Sequence, residues 1–297
     1  MLSVLIPVYN YNAFPLVFEL YKQCLECNLE YEIICQNDAS NAFLTENSEI
    51  NTLENCCFSS NETNLGRGKN INKMSRKATY EWLLILDCDT FPQSSDFIKK
   101  YHSEILKNEN PIVFGGILYK TEKPEKDQLL RWDYGHKRES LSVEKRKRKP
   151  NSRALTSNLL LKKEVFLQYP FDENITKYGY EDLYFMLTLE ANKIKASHIK
   201  NPTFHLNLET STLFLNKTKT ALENLVYILN SKKADLKDSK IITVYSLLKK
   251  LKLTRFTVYF FNLFEHKITA QLISSKPSLF LFDLYKLGHF CRLQSKP

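Results

Sequence analysis

Glycine is scarce in this 297-residue chain: there are seven, against 16 tyrosines and 19 phenylalanines. That scarcity excludes a collagen-like or glycine-rich low-complexity protein, and no repeat takes its place. Long apolar runs are missing too, since no stretch approaches the roughly 18 to 20 residues that span a bilayer. No charged and then apolar leader precedes the strand-like Leu2-Ser3-Val4-Leu5-Ile6. The seven cysteines are odd in number and irregularly placed. Cys24 and Cys27 have ligand-like spacing without a second pair at zinc-site distance, and Cys56-Cys57 are adjacent on an expected strand. These absences point to a reducing cytoplasm and away from a disulfide framework or a structural zinc. What is present is a 43% hydrophobic share, ample for a core.

Charge is divided unevenly along the chain. Residues 231–297 hold 13 Lys/Arg against four acids (Asp235, Asp238, Glu265, Asp283), whereas the first 230 residues are balanced at 29 of each. This predicts a domain over residues 1–230 and a basic, aromatic-rich helical extension over 231–297. Within the extension, Lys249, Lys250, Lys252 and Arg255 interleave with Tyr245, Phe256, Tyr259, Phe260, Phe261 and Phe264. Such a segment either docks on an anionic membrane surface or packs as a helical cap.

Strand and helix patterns alternate through the first half, which predicts an α/β fold with a mainly parallel sheet and flanking helices. Strands are expected at Leu2–Val8, 31–35, 51–59 and Trp82–Leu86, with helices over 14–28 and 66–79. A helix over 96–107 and a strand over 112–119 follow, with Gly115-Gly116 allowing close backbone approach. Residues 120–153, which include Lys145-Arg146-Lys147-Arg148-Lys149, read as a mobile loop or partly helical excursion. A strand returns at 155–161, residues 183–190 are helical, 193–199 form a short strand that Pro202 ends, and the chain is helical from Thr210 onward.

The apolar run ending at Leu86 delivers Asp87-Cys88-Asp89 to a strand end. Two carboxylates about 4 Å apart repel by roughly 4 kcal/mol at an effective dielectric near 20, so a cation is expected there. Mg²⁺ carrying a nucleotide diphosphate fits, because it takes one or two carboxylates and fills its shell with water and phosphate oxygens. Tyr9, Asp38 and Asp87–Asp89 all fall at carboxyl ends of strands, where open α/β sheets bind ligands.

Five features in order resemble the family-2 glycosyltransferases of GT-A fold: Pro7-Val8-Tyr9-Asn10, Asn37-Asp38-Ala39-Ser40, Asn64-Leu65-Gly66, Asp87-Cys88-Asp89 and Glu181-Asp182. The similarity covers about residues 1–205, and the Thr156–Phe166 run with Tyr178-Gly179-Tyr180-Glu181-Asp182 looks like bacterial members that build surface polysaccharides. The cysteine pattern places the enzyme in the cytoplasm, peripheral at the inner face of the cell membrane where the C-terminal segment would dock; the resemblance implies a nucleotide-sugar donor, a UDP-sugar by default. It also implies Mn²⁺ or Mg²⁺ and a glycan or lipid-linked acceptor. Pro7, Tyr9 and Asp38 would flank the base and ribose, Asp87 would touch the ribose and Asp89 the metal. His205 resembles the histidine that closes the metal site, with His198 the weaker candidate. Gly66, Arg67 and Lys69 open a helix where a diphosphate could sit. Where the family has an arginine, this chain has Ile71. Asp182 would be the base that deprotonates the acceptor hydroxyl, and Glu181 would orient the acceptor.

Each residue also has a plainer reading: Asp38 as a cap or turn residue, His205 as a structural histidine, Glu181-Asp182 as an acidic first helical turn. Two other functions compete. A basic nucleic-acid-binding module explains the charge but not the acidic strand end, and the neutral first 230 residues argue against it, so no nucleic acid is expected. A sugar-phosphate nucleotidyltransferase would carry a glycine-rich loop after its first strand, and this chain has none.

Overall fold

Strand β1 (Leu2–Val8) is buried along its whole length because a parallel strand pairs with it on each side. The structure is a computed structural model that describes residues 1–231 and 239–295. In it β1 lies beside β2 (Tyr31–Asn37), which carries β3 (Cys56–Ser60) on its outer side, and beside β4 (Trp82–Leu86). A short β5 (Thr90–Pro92) follows the acidic turn, then β6 (Ile112–Phe114), β7 (Ile117–Leu118), β8 (Asn158–Lys162), β9 (Ser197–His198) and β10 (Thr203–His205). Seven strands form one sheet in the order β3-β2-β1-β4-β8-β6-β9, in which β8 runs against its neighbours and the other six are parallel to one another. The Phe14–Glu26 helix buries Leu16, Val17 and Leu20 against this sheet, together with Phe97, Ile98 and Tyr101 of the Phe97–Lys107 helix. The expected α/β class and the C-terminal helices are both present.

Several elements differ from the sequence reading. Asn51 and Thr52 belong to a 3₁₀ turn, Glu49–Thr52, so β3 is shorter than expected. The single strand expected over 112–119 is two, broken at Gly115-Gly116: β6 stays in the large sheet, whereas β7 joins a second sheet of order β5-β10-β7. The strand expected over 193–199 shrinks to Ser197–His198, and Pro202 precedes β10 instead of ending the strand pattern.

The break is enforced sterically and by hydrogen bonds. A Cβ on Gly115 would overlap the Asn201 carbonyl oxygen and the Tyr101 hydroxyl and lie 2.6 Å from Asn158 Nδ2, and one on Gly116 (φ +112°) would lie 3.0 Å from Arg146 Nη2. The Asn158 amide donates to the carbonyls of Gly116 (2.8 Å) and Asn201 (2.9 Å) and accepts from the Tyr101 hydroxyl (2.7 Å). Within the basic run of the expected loop, Arg146 is buried. It lies in the Val143–Lys147 helix with 3% exposure, and its guanidinium donates to the carbonyls of Phe114 (3.2 Å), Gly115 (3.2 Å) and Ile199 (2.9 Å) above the Phe114 ring. Beneath it His198 is also buried, its Nε2 2.9 Å from the Pro150 carbonyl and its ring edge-on to Phe114.

Two compact units divide the chain. The first, Met1–Lys120, Glu139–Asn174 and Thr188–Asn207, contains both sheets. The second, Thr121–Arg138, Ile175–Leu187 and Leu208–Pro297, is helical. In the second, the Ser211–Ser231, Lys240–Lys250, Thr254–Leu272 and Leu279–Gln294 helices share two apolar clusters. One gathers Leu130, Leu215, Phe261, Phe282 and Tyr285, the other Leu222, Leu225, Ile228, Ile242 and Phe290. The compositional boundary at 230/231 falls within the second unit, in the last turn of the Ser211–Ser231 helix. Residues 232–238, with Asp235 and Asp238, and residues 296–297 lie outside the described residues. Among those described, no helix is long and apolar enough to cross a membrane.

Burial, reinforced by Arg146 and Lys147, holds the His198 imidazole down to about 4 from 6.5. The unfolded chain therefore binds a proton near pH 6.5 that the folded chain takes up only near pH 4, so this contribution is intact above pH 6.5 and is lost as pH falls through that window. The loss amounts to about 3 kcal/mol. Urea unfolding measured from pH 7 to pH 4 should show falling midpoints, and His198→Gln should flatten the slope; a variant with the wild-type slope removes His198 as its source.

Candidate functional site

Asp38 follows β2 and builds the turn ahead of the next helix. Its Oδ1 accepts from the Asn61 side-chain amide and the Leu65 N–H, each at 2.8 Å, and its Oδ2 from the Gly66 N–H at 2.8 Å. The side chain is buried, and these three bonds satisfy most of its acceptor capacity. Gly66 sits at φ +83°, a left-handed conformation that glycine adopts without strain, and caps the Arg67–Lys77 helix. Asp38 thus takes the turn role weighed from the sequence. Pro7 is buried in β1 opposite Gln36, while Tyr9, just past the strand, is 54% exposed.

The Arg67–Lys77 helix sends its first side chain back to the acidic strand end. Arg67 Nε and Nη2 donate to Asp87 Oδ1 at 2.8 and 2.6 Å, and Nη1 donates to the Thr156 hydroxyl at 2.8 Å. The cation expected to offset the two carboxylates is, for Asp87, this guanidinium. Lys69 is half-buried. Ile71, at the family's arginine position, is fully buried on the inner face of the helix with Met74, where a guanidinium would be desolvated.

Asp87 also shapes the turn that carries Asp89. Its carbonyl accepts from the Thr90 N–H (3.1 Å) and hydroxyl (2.8 Å), and Thr90 opens β5. Because β10 pairs antiparallel with β5 in the register His205↔Thr90, and the Leu206 N–H donates to the Asp89 carbonyl at 2.8 Å, His205 is drawn to the acidic turn. Its Nε2 lies 3.6 Å from Asp89 Oδ2. The other face of the imidazole stacks on Tyr119, with centroids 5.4 Å apart, and the Tyr119 hydroxyl bonds to the Glu139 carboxylate. His198, the weaker candidate, lies in the core under Arg146.

Asp89 and His205 put one oxygen and one nitrogen donor side by side, both partly exposed. Among the described residues no group of three or more His, Cys, Asp or Glu side chains gathers at metal-binding spacing. Two protein donors suit a hard divalent ion that completes its shell with phosphate oxygens and water, and do not suit a closed structural site. Tyr11, not singled out from sequence, belongs to the same neighbourhood. Burial first, and then the negative charge of Asp89, hold its hydroxyl above the usual value of 10. Its position three residues beyond β1 was the available clue.

Glu181 and Asp182 belong to the helical unit. They open the Glu181–Ala191 helix after Gly179 (φ +94°) and Tyr180 (φ +63°), and both are half-buried in its first turn, where the helix dipole favours negative charge. The Asn224 side chain donates to the Lys177 carbonyl at 3.0 Å and also bonds the Gly179 carbonyl, and a Cβ on Gly179 would overlap Ala221, so the turn is held from the Ser211–Ser231 helix.

No curated protein matches the chain in sequence. Solved structures do share its fold. The S. aureus TarS 1-349 structure superimposes with a TM-score of 0.52 at 14% identity over 99% of this chain and 90% of that one. The mannosyltransferase PcManGT of Pyrobaculum calidifontis gives 0.53 at 14% identity over 78% and 65%. Against another S. aureus TarS structure the TM-score is 0.51 at 18% identity; the match covers 79% of this chain but spans only 40% of that one. With residues 3–169 matching the family described as Glycosyl transferase family 2, more than half of its length, the chain belongs to that family.

Proposed function

We propose that this chain transfers a hexosyl or N-acetylhexosaminyl group from a nucleotide-sugar, a UDP-sugar by default, to a hydroxyl of a glycan or lipid-linked acceptor. Inversion at the anomeric carbon, and a place in cell-surface polysaccharide synthesis at the inner face of the cell membrane, complete the proposal. The observation that carries it is the meeting of Asp89 with His205 at the carboxyl edge of the sheet in a family-2 chain. Structures sharing the fold are described in complex with UDP-GlcNAc (S. aureus TarS 1-349) and with GDP-Man and Mn²⁺ (PcManGT), which supports an activated sugar and a divalent ion here.

Asp89 and His205 would hold Mn²⁺ or Mg²⁺, which when bound supplies positive charge to the departing diphosphate. Tyr9 offers an exposed ring for the base, Asp87 an acceptor for the ribose hydroxyls, and Arg67 and Lys69 cationic charge for the phosphates. Asp182 takes the proton of the acceptor hydroxyl as its oxygen attacks the anomeric carbon and the bond to the nucleotide diphosphate breaks; Glu181 orients the acceptor. No nucleic acid enters this reading; Arg146, the second residue of the basic run, donates from Nη1 and Nη2 to buried carbonyls.

A panel of nucleotide sugars tested for binding and hydrolysis with Mn²⁺ or Mg²⁺ should single out one donor, and indifference to every member would sink the assignment. Asp182→Asn should lower turnover by about two to four decades with nucleotide affinity kept, and wild-type turnover in that variant would remove Asp182 from its role. His205→Ala should weaken Mn²⁺ binding, followed by electron paramagnetic resonance with nucleotide diphosphate present, by about tenfold or more; unchanged Mn²⁺ affinity would leave His205 a structural histidine.

A further inference from the structure

We propose that the outward faces of the Lys240–Lys250 and Thr254–Leu272 helices dock on a bilayer rich in anionic phospholipid. Each helix has one side committed to a core: Ile242 and Tyr245 lie against Phe290, and Phe261 and Leu272 join Phe282 and Tyr285. At 100° per residue, the opposite side of the longer helix carries Phe256, Tyr259, Phe260 and Leu263, which are 61%, 64%, 40% and 60% exposed. These rings pack on one another and not on a core, with centroids 4.4 Å apart for Phe256 and Phe260 and 5.5 Å for Tyr259 and Phe260. The shorter helix and its end continue the pattern with an exposed row at Val244, Leu247 and Leu251. Scattered apolar residues are ordinary on a surface, but a row of this kind on successive helices marks a partner.

Charge identifies the partner. Between residues 239 and 282 stand seven Lys/Arg and a single acid, Glu265. That acid is spent inward, where Arg292 Nη2 lies 2.6 Å and His289 Nε2 3.2 Å from its carboxylate. Lys249, Lys250, Lys252 and Arg255, all exposed, crowd the connection between the two helices. A second copy of the chain would bring like charges together, whereas anionic lipid offers both a negative surface and an apolar interior for shallowly inserted aromatic rings. No spanning segment is needed, and among the described residues no helix qualifies as one. The proposed function enters only in naming the membrane; the experiment reads binding and not transfer, so either can fail without the other.

The full chain should float with phosphatidylcholine vesicles that contain phosphatidylglycerol and stay behind with phosphatidylcholine alone. Replacing Lys249, Lys250, Lys252 and Arg255 by Gln should lower partitioning onto the anionic vesicles by roughly a hundred- to a thousandfold. Phe256→Ser with Tyr259→Ser should lower it in a way that added salt does not reproduce. Circular dichroism and nucleotide binding should match the wild type, since these side chains leave the cores untouched. Failure of the wild type to float overturns the proposal, as does wild-type flotation of the quadruple variant. A concentration-dependent oligomer with no vesicle binding also overturns it and assigns the face to protein contact.

Discussion

One side-chain amide fixes the geometry on which the acidic strand end depends. Asn158 stands opposite Leu86 in the β4–β8 ladder and ties together the carbonyls of Gly116 and Asn201 and the hydroxyl of Tyr101. Those bonds hold the corner where the chain leaves the large sheet and crosses to the small one. The Asn201 N–H then donates to the Gly115 carbonyl and the Thr203 N–H to the Gly116 carbonyl, which aims β10 at β5. Each of these groups is buried, so a lost partner would leave a desolvated donor or acceptor costing about 1–3 kcal/mol. The position of His205 beside Asp89 is the far end of this chain of bonds.

Each carboxylate at the sheet edge has a polar partner of a different kind. Asp38 is neutralised by oriented N–H dipoles, Asp87 by the Arg67 guanidinium, and Asp89 faces an imidazole. The three environments differ in what they leave for a ligand. Asp38 spends three acceptor sites inside its turn, Asp87 shares a guanidinium, and Asp89 stays partly exposed beside an imidazole. A phosphate arriving near Arg67 would compete directly with Asp87 for the same donors.

Much of the large sheet was legible in the sequence because β1, β2 and β4 are apolar runs long enough to bury both faces, and because their carboxyl ends carry polar residues abruptly. The small sheet was not, since strands of two or three residues such as Ile117–Leu118 and Thr203–His205 show no period. His205 stood out by resemblance; the strand that carries it did not. Arg146 was hidden by its neighbours, because a burial pattern of one residue in five looks like none when all five are basic. The partners of Asp38 lie 23 to 28 residues further along and Arg67 lies 20 residues before Asp87, while Tyr11 sits near Asp89 through a spatial proximity that spacing does not encode.

The Gly115-Gly116 corner also sets an order of events during synthesis. Its bonds join residues up to 104 positions apart, from Phe97 to Asn201. As the ribosome emits the chain from the amino end, β1 to β4 and the Asp38 turn emerge well before residue 201 appears. Asp89 therefore waits on a nascent polypeptide without its imidazole neighbour, and the Asp89–His205 pair is among the last features of the sheet unit to be assembled.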